Sequence, residues 1–408
     1  MFATVTQDFL FKDTAMKKLL ISAALLPFLA GQAAAAPVIE LELGGFMMFY
    51  GTYARQKKSA KVPMSVSFPP LSAQTKAIGD YNTFDLMGDA EIYFTGSHTF
   101  ENGMKAGAVV QLEAGTDSNT SNQVIDETYM TFDSKIGRII AGNVKNASNM
   151  MAVRSPTASL MGFQETDFTR LISVPALFSY NKATYATLDD ISTKLSYITP
   201  EIGGFSFGIS LMPGNKVKGK DADNLLIPKD GIKIFKRGVD ATALYTHDFD
   251  GIRMDVSGSF SSYKPNLKAN DINAKESNLN EYGAGIAFAV REWSFGGSYH
   301  FVNSSRLAAE AALAVQTMGA HGSSWEAGVK YENNAFAASA NFMQSRADSF
   351  TANGKDDYTQ YQLSARYTFA AGVDGFVDAA YLRFKSASDD RALSNQGFAA
   401  SAGVKLTF

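Results

Sequence analysis

The stretch Phe398-Ala399-Ala400-Ser401-Ala402-Gly403-Val404-Lys405-Leu406-Thr407-Phe408 alternates without a fault. Its even positions are Phe, Ala, Ala, Val, Leu and Phe; its odd positions are Ala, Ser, Gly, Lys and Thr. Successive side chains on a β-strand point to opposite faces, so one face is greasy and the other small or wet. The same period returns upstream. Tyr361, Leu363, Ala365, Tyr367 and Phe369 oppose Gln360, Gln362, Ser364, Arg366 and Thr368. Trp325, Ala327, Val329 and Tyr331 oppose Glu326, Gly328 and Lys330. Ile252, Met254, Val256, Gly258 and Phe260 oppose Arg253, Asp255, Ser257, Ser259 and Ser261. Met104, Ala106, Ala108, Val110 and Leu112 oppose Lys105, Gly107, Val109, Gln111 and Glu113.

These segments come in pairs. Tight links rich in Asn, Asp and Gly fall at 101–103, 133–137, 200–204, 248–251, 291–292, 333–334 and 372–375, as hairpin turns require. Long links run over about 55–81, 115–124, 143–188, 213–236, 265–278, 303–322, 347–356 and 386–395. Seven tight and eight long links join sixteen strands. A soluble β-sandwich also alternates, but strands of about 9–13 residues exceed its mode and match a tilted membrane strand. The apolar sets often end in aromatics, as membrane girdles do. In lipid every backbone N–H and C=O must be paired within the protein, so the last strand has to pair with the first. The expected fold is all-β: an antiparallel transmembrane barrel of about sixteen strands. A barrel of that size encloses water, which its inward charges need. Two segments fit less well. The first strand changes parity between Leu43 and Phe46, which predicts a bulge at Gly44-Gly45. The sixth strand, within 190–199, alternates weakly.

Composition agrees. No apolar run of about 18 residues follows the leader, so helical spans are excluded. Thirty Phe and 17 Tyr suit interfacial girdles, and 34 Gly against 11 Pro suits close-packed strands. The chain has no Cys, so neither disulfides nor thiolate metal sites enter. A net charge of −3 carries no basic face for nucleic acid.

Met16-Lys17-Lys18, an apolar run from Leu19 to Leu29 and Ala33-Ala34-Ala35 read as a signal peptide cut after Ala35. The competing reading, an N-terminal anchor, conflicts with the short apolar run. Residues 1–15 read as an upstream extension, and residues 36–408 as a single barrel domain.

On these residues the chain resembles the sixteen-stranded general-diffusion porins of Gram-negative outer membranes, especially the alphaproteobacterial type. "PVIELELGGFMMFYGTYA" at the start of 37–408 is similar to the family's first strand. "SKIGRIIAGNVKNASNM" is similar to its fifth strand running into the third long loop. "GVKLTF", ending in Phe408, resembles the signal read by the barrel-assembly machinery. The resemblance implies a homotrimer in the cell outer membrane, each barrel with its own pore, among outer-membrane lipid and lipopolysaccharide. It also implies a third loop folded inward as a constriction, with acidic loop residues facing basic residues on the opposite wall.

The residues agree that this loop folds inward. The link over 143–188 is the longest, and Met150, Met151, Leu160, Met161, Phe163, Phe168 and Leu171 suit an inner wall better than solvent. Its charges include Arg154, Glu165, Asp167 and Arg170, which form the expected constriction. Glu165 and Asp167 resemble the family's acidic pair, although "GFQETDF" departs from its better-known motif. On the lumen wall the candidates are Lys105, Glu113, Arg138, Lys194, Arg366 and Lys405, several of them near short turns and so at the periplasmic mouth. Each either tunes ion passage or is a solvated wall residue. The basic stretch 216–237 either draws anions and lipopolysaccharide phosphates or is a solvated loop. Residues 308–315 favour a short helix.

Catalytic and cofactor motifs are missing. The four His are scattered, and no phosphate loop or nucleophile elbow stands in a strand–turn–helix setting. Asp356-Asp357 and Asp389-Asp390 are candidate loose divalent-cation sites or plain loop charges. The expected function is a water-filled channel for passive diffusion of ions and small polar solutes, without cofactor. The alternatives are a channel selective for a sugar or an anion, a barrel enzyme with a Ser–His pair at its rim, and a barrel plugged by its third loop.

Overall fold

A computed structural model describes residues 39–57, 61–65, 74–77, 82–113, 125–163, 168–187, 191–214, 235–265, 278–304 and 321–408. The expected leader, the stretch 308–315 and most of 216–237 lie outside them. Two short strands, β2 (Lys61–Ser65) and β3 (Gln74–Ala77), pair in the first long link. The other strands are β1 (Glu40–Gln56), β4 (Phe84–Thr99), β5 (Lys105–Glu113), β6 (Ile125–Ser134), β7 (Gly137–Val144), β8 (Ser192–Ile198) and β9 (Phe205–Met212). They continue as β10 (Phe235–Phe249), β11 (Ile252–Pro265), β12 (Leu279–Val290), β13 (Trp293–Asn303) and β14 (Gly322–Asn333). The last are β15 (Phe336–Asp348), β16 (Lys355–Ala370), β17 (Val373–Lys385) and β18 (Asn395–Thr407). Leaving out β2 and β3, sixteen strands close into one barrel, each antiparallel to its neighbours.

The seam pairs β1 with β18, from Phe46 opposite Thr407 to Gln56 opposite Gly397. Phe408 extends it: its N–H donates to the Gly45 carbonyl at 3.1 Å, and the Gly45 N–H donates to the Phe408 carbonyl at 3.0 Å. Closure leaves no edge for backbone groups in a solvent that cannot satisfy them. Short hairpins join the strands at one end. In the turn after β10, Asp250 (φ 52°) and Gly251 (φ 88°) are both left-handed, the conformation that matches strand twist in a two-residue loop.

Outward residues are apolar and exposed. Met47 and Phe49 are 59% and 60% exposed, whereas Met48 and Tyr50 between and beside them are 2% and 1% exposed. This corrects the expected bulge. β1 pairs with β4 in unbroken register from Glu40 to Tyr53, and Leu41, Leu43, Met47, Phe49 and Tyr53 all face outward. Phe46, Met48 and Tyr50 are apolar residues on the inward face. They break the lipid-out, polar-in rule because the third long link packs on them inside the barrel. The weakly alternating sixth strand exists as β8.

Candidate channel constriction

The link between β7 and β8, here the inner loop, turns into the barrel and lies along its wall. It starts with a one-turn helix, α1 (Ala147–Met150), capped by the Asn146 side chain, which accepts from the Asn149 N–H at 2.7 Å. A second turn, α2 (Phe168–Leu171), follows. The outgoing stretch bonds to successive strands. Ala147 N–H donates to Ser210 Oγ of β9 at 2.8 Å, Val153 N–H to Ser257 Oγ of β11 at 2.9 Å, and Ala158 N–H to Ser339 Oγ of β15 at 2.9 Å. The returning stretch retraces the wall. Ser173 N–H donates to Gln56 Oε1 of β1 at 2.9 Å, and Asn181 N–H to Ser345 Oγ of β15 at 2.8 Å.

Buried carboxylates hold the loop at every second strand. Asp240 of β10 accepts the Ser148 N–H at 3.0 Å. Glu281 of β12 accepts the Thr187 N–H at 3.1 Å and meets His300 Nε2 at 3.0 Å. Glu326 of β14 accepts the Ser155 N–H at 2.6 Å and the Ser298 hydroxyl at 3.0 Å. Asp356 of β16 accepts the Ser179 N–H at 2.9 Å. A carboxylate accepting backbone N–H groups makes charge-assisted bonds that also satisfy a loop backbone lacking a ladder.

Small wall residues let the loop approach. A Cβ at Gly285 would lie 2.0 Å from the Val153 carbonyl oxygen, and one at Gly397 would lie 2.6 Å from Ile172 Cδ1. At the far end, loop residues Met161, Phe163, Phe168, Ile172, Phe178 and Tyr180 form one apolar cluster with the inward faces of β15, β16, β17, β18 and β1. Each buried Phe or Ile contributes about 1.5–3 kcal/mol of transfer free energy. Burial pushes the Tyr180 phenol well above its ordinary value.

A different surface lines β4, β5 and β6. Glu91 and Glu113 are paired across β4 and β5, and Asp89 lies one inward step from Glu91. Glu91 accepts from Gln111 Nε2 at 2.8 Å and from the Tyr93 hydroxyl. Asp89, Asp126 and Lys145 act on Glu91, and Lys145, Asp126 and Lys194 on Glu127. This is a mixed, predominantly acidic cluster on the wall.

The sequence-predicted residues are placed as follows. Glu165 and Asp167 lie outside the described residues. Arg154 sits on the loop with its guanidinium 3.5 Å from the Tyr185 ring centroid, donating to Asn149 Oδ1 at 3.0 Å. Arg170 lies exposed on α2. Lys105 and Glu113 share the inward parity of β5. Arg138 pairs with Asp133 beside a short turn. Arg366 pairs with Glu332 at 2.5 Å, and Glu332 also takes Lys330 Nζ at 2.6 Å. Lys405 lies 3.8 Å over the Phe46 ring. Lys194 differs from the expectation of a mouth residue: it is 3% exposed, and its Nζ donates to the Val144 carbonyl at 2.5 Å, at the root of the inner loop. Asp356-Asp357 is not a divalent pair. Adjacent strand residues face opposite ways, so Asp356 holds the loop inside while Asp357 meets Arg346 outside.

Sequence reading missed the carboxylate tethers. Their signal was present: Asp240, Glu281, Glu326 and Asp356 are acids on inward positions of strands otherwise lined with Ser, Gly and Ala.

The chain is similar to an uncharacterised protein of Rickettsia conorii, with 23% identity over 90% of this chain and 89% of that one. Among solved structures it resembles the anion-selective porin from Comamonas acidovorans (TM-score 0.57, 13% identity, 91% of this chain and 100% of that one). It also resembles the outer-membrane channel DcaP of Acinetobacter baumannii (TM-score 0.58, 11% identity, 93% of this chain and 100% of that one). Identities this low carry the fold alone. The profile of the Gram-negative porins matches residues 22–387, most of the chain, and with it the sealed ring and inward loop find their family: the chain belongs to the Gram-negative porins.

Proposed function

We propose that the protein conducts ions and small hydrophilic solutes by passive diffusion through a water-filled lumen, as a homotrimer exported by a cleaved leader. The family and fold are those of outer-membrane channels, not of enzymes. The observation that carries the reading is the division of the inner wall. One arc holds the inner loop in fixed hydrogen bonds, while the acidic arc of β4 to β6 lies on other strands. Glu91, Glu113 and Glu127, with Glu165 and Asp167 of the loop, favour cations; Arg154, Arg170 and Lys182 temper that preference. Fixed charges lining a pore act as electrostatic wells and barriers, without chemistry. Lys105, Arg138, Arg366 and Lys405 line the periplasmic mouth.

Single-channel recording of the purified protein in a planar bilayer tests this. Conductance that closes in three equal steps is expected. A barrel without conductance overturns it in favour of the plugged reading, and current block by one sugar or anion replaces it with a selective channel.

A further inference from the structure

The outward face of the barrel changes character at a sharp level. On β16 the outward residues run Phe369, Tyr367, Ala365, Leu363 and Tyr361, then Thr359, Asp357 and Lys355. On β17 they run Val377, Ala379 and Tyr381, then Arg383 and Lys385; on β15, Phe342, then Gln344 and Arg346. The rings of Phe342 and Tyr361 lie 5.0 Å apart and mark an aromatic girdle. On all three strands the polar residues begin one outward step beyond it. A girdle marks the membrane–water interface, so these groups stand at headgroup depth.

Here the strand ends and the following link enclose a groove of about 540 Å³. Its lining includes Arg346, Lys355, Asp357, Arg383 and Lys385. Asp357 sets the geometry: it accepts from Arg346 Nε at 2.7 Å, Gln344 Nε2 at 3.0 Å and the Thr359 hydroxyl at 3.1 Å. The Arg346 side chain still remains 63% exposed. Lys355 is held by Asp348 at 3.2 Å. Arg383 and Lys385 have no carboxylate partner among the described residues. Cations without counter-charge, on the membrane-facing side and just beyond the apolar belt, are complementary to an anion at that depth. Guanidinium forks match phosphate oxygens, and ammonium groups add point charge.

We propose that this groove binds the phosphate of an anionic lipid headgroup in the outer leaflet. Arg383 and Lys385 take phosphate oxygens, Asp357 orients Arg346 beside them, and Tyr381 and Tyr361 lie under the lipid's apolar part. Continuity with the belt favours a lipid over free phosphate, which has no use for the belt. The proposal rests on the membrane reading of the barrel and is independent of conduction.

The test titrates the full-length protein in neutral detergent with bis-phosphorylated lipid A and with its dephosphorylated form. Binding of the phosphorylated lipid about tenfold tighter is expected, with a loss of about that size in R383Q/K385Q. Retention by R383K/K385R and by K135Q, at the opposite rim, is also expected. Equal binding of the two lipids, or equal binding by parent and R383Q/K385Q, overturns the proposal. Complete displacement by millimolar inorganic phosphate assigns the groove to a free anion and overturns the lipid. Should R383Q/K385Q fail to fold, salt titration of the parent decides: binding that ignores ionic strength sinks the idea. A double variant that conducts like the parent but has lost the lipid separates this groove from the pore.

Discussion

The two arcs of the inner wall obey the same alternation and do different work. From β9 round to β18 and β1, inward positions are Ser, Gly, Ala and buried carboxylates, and they grip the inner loop. On β4 to β6 the inward positions are Asp, Glu, Gln and Tyr, and they bond to one another. Both arcs bear acids, yet the acids differ in kind. Glu326 spends its charge on a loop N–H and a hydroxyl, so its field is consumed locally. Glu91 and Glu127 keep neighbours of their own sign and project a net field. An inward acid is a tether or a tuner according to whether a backbone lies against it.

The strongest way to break this division is Gly285→Leu. A side chain there collides with the Val153 carbonyl, which a Cβ alone would approach to 2.0 Å, so the loop must leave β12. A stability loss of roughly 1–3 kcal/mol is expected, with an altered single-channel conductance. Unchanged conductance would mean the loop does not set the bore. Glu326→Ala compared with Glu91→Ala sharpens the contrast. Removing the tether strands the Ser155 N–H, costs about 1–3 kcal/mol and speeds hydrogen exchange along the loop. Glu91→Ala should leave loop exchange alone and lower cation preference in a salt gradient. Identical responses from the two variants would erase the distinction. The smallest effect belongs to Glu332→Gln beside the short turns. Its partners Lys330 and Arg366 are part-exposed, so a stability change within about 1 kcal/mol is expected by thermal melting.

The barrel was legible because the lipid and the lumen impose period 2 on every strand, and because hairpin chemistry differs from long-link chemistry. The tight links read from Asn, Asp and Gly fall between the observed strands. Legibility failed where a third partner intrudes. Phe46, Met48 and Tyr50 looked like a parity change since sequence holds no sign that a loop from 100 residues away covers them. Gly283 and Gly285 read only as small mid-strand residues; that Gly285 seats Val153 is tertiary information. Lys194 read as a solvated wall cation, but its strand begins at the loop's root. Inward parity was readable for Lys105, Glu113, Arg138, Arg366 and Lys405, whereas their neighbours were not.

The seam between β1 and β18 has a kinetic corollary. Its partners are the barrel strands most distant in sequence, so its contacts carry the largest loop-closure entropy of any in the sheet. Until they meet, a partly assembled sheet would expose two raw borders to hydrocarbon, where neither can find a donor or acceptor. Partial sheets therefore have no resting place within the bilayer, and maturation becomes an all-or-none event timed by its slowest encounter.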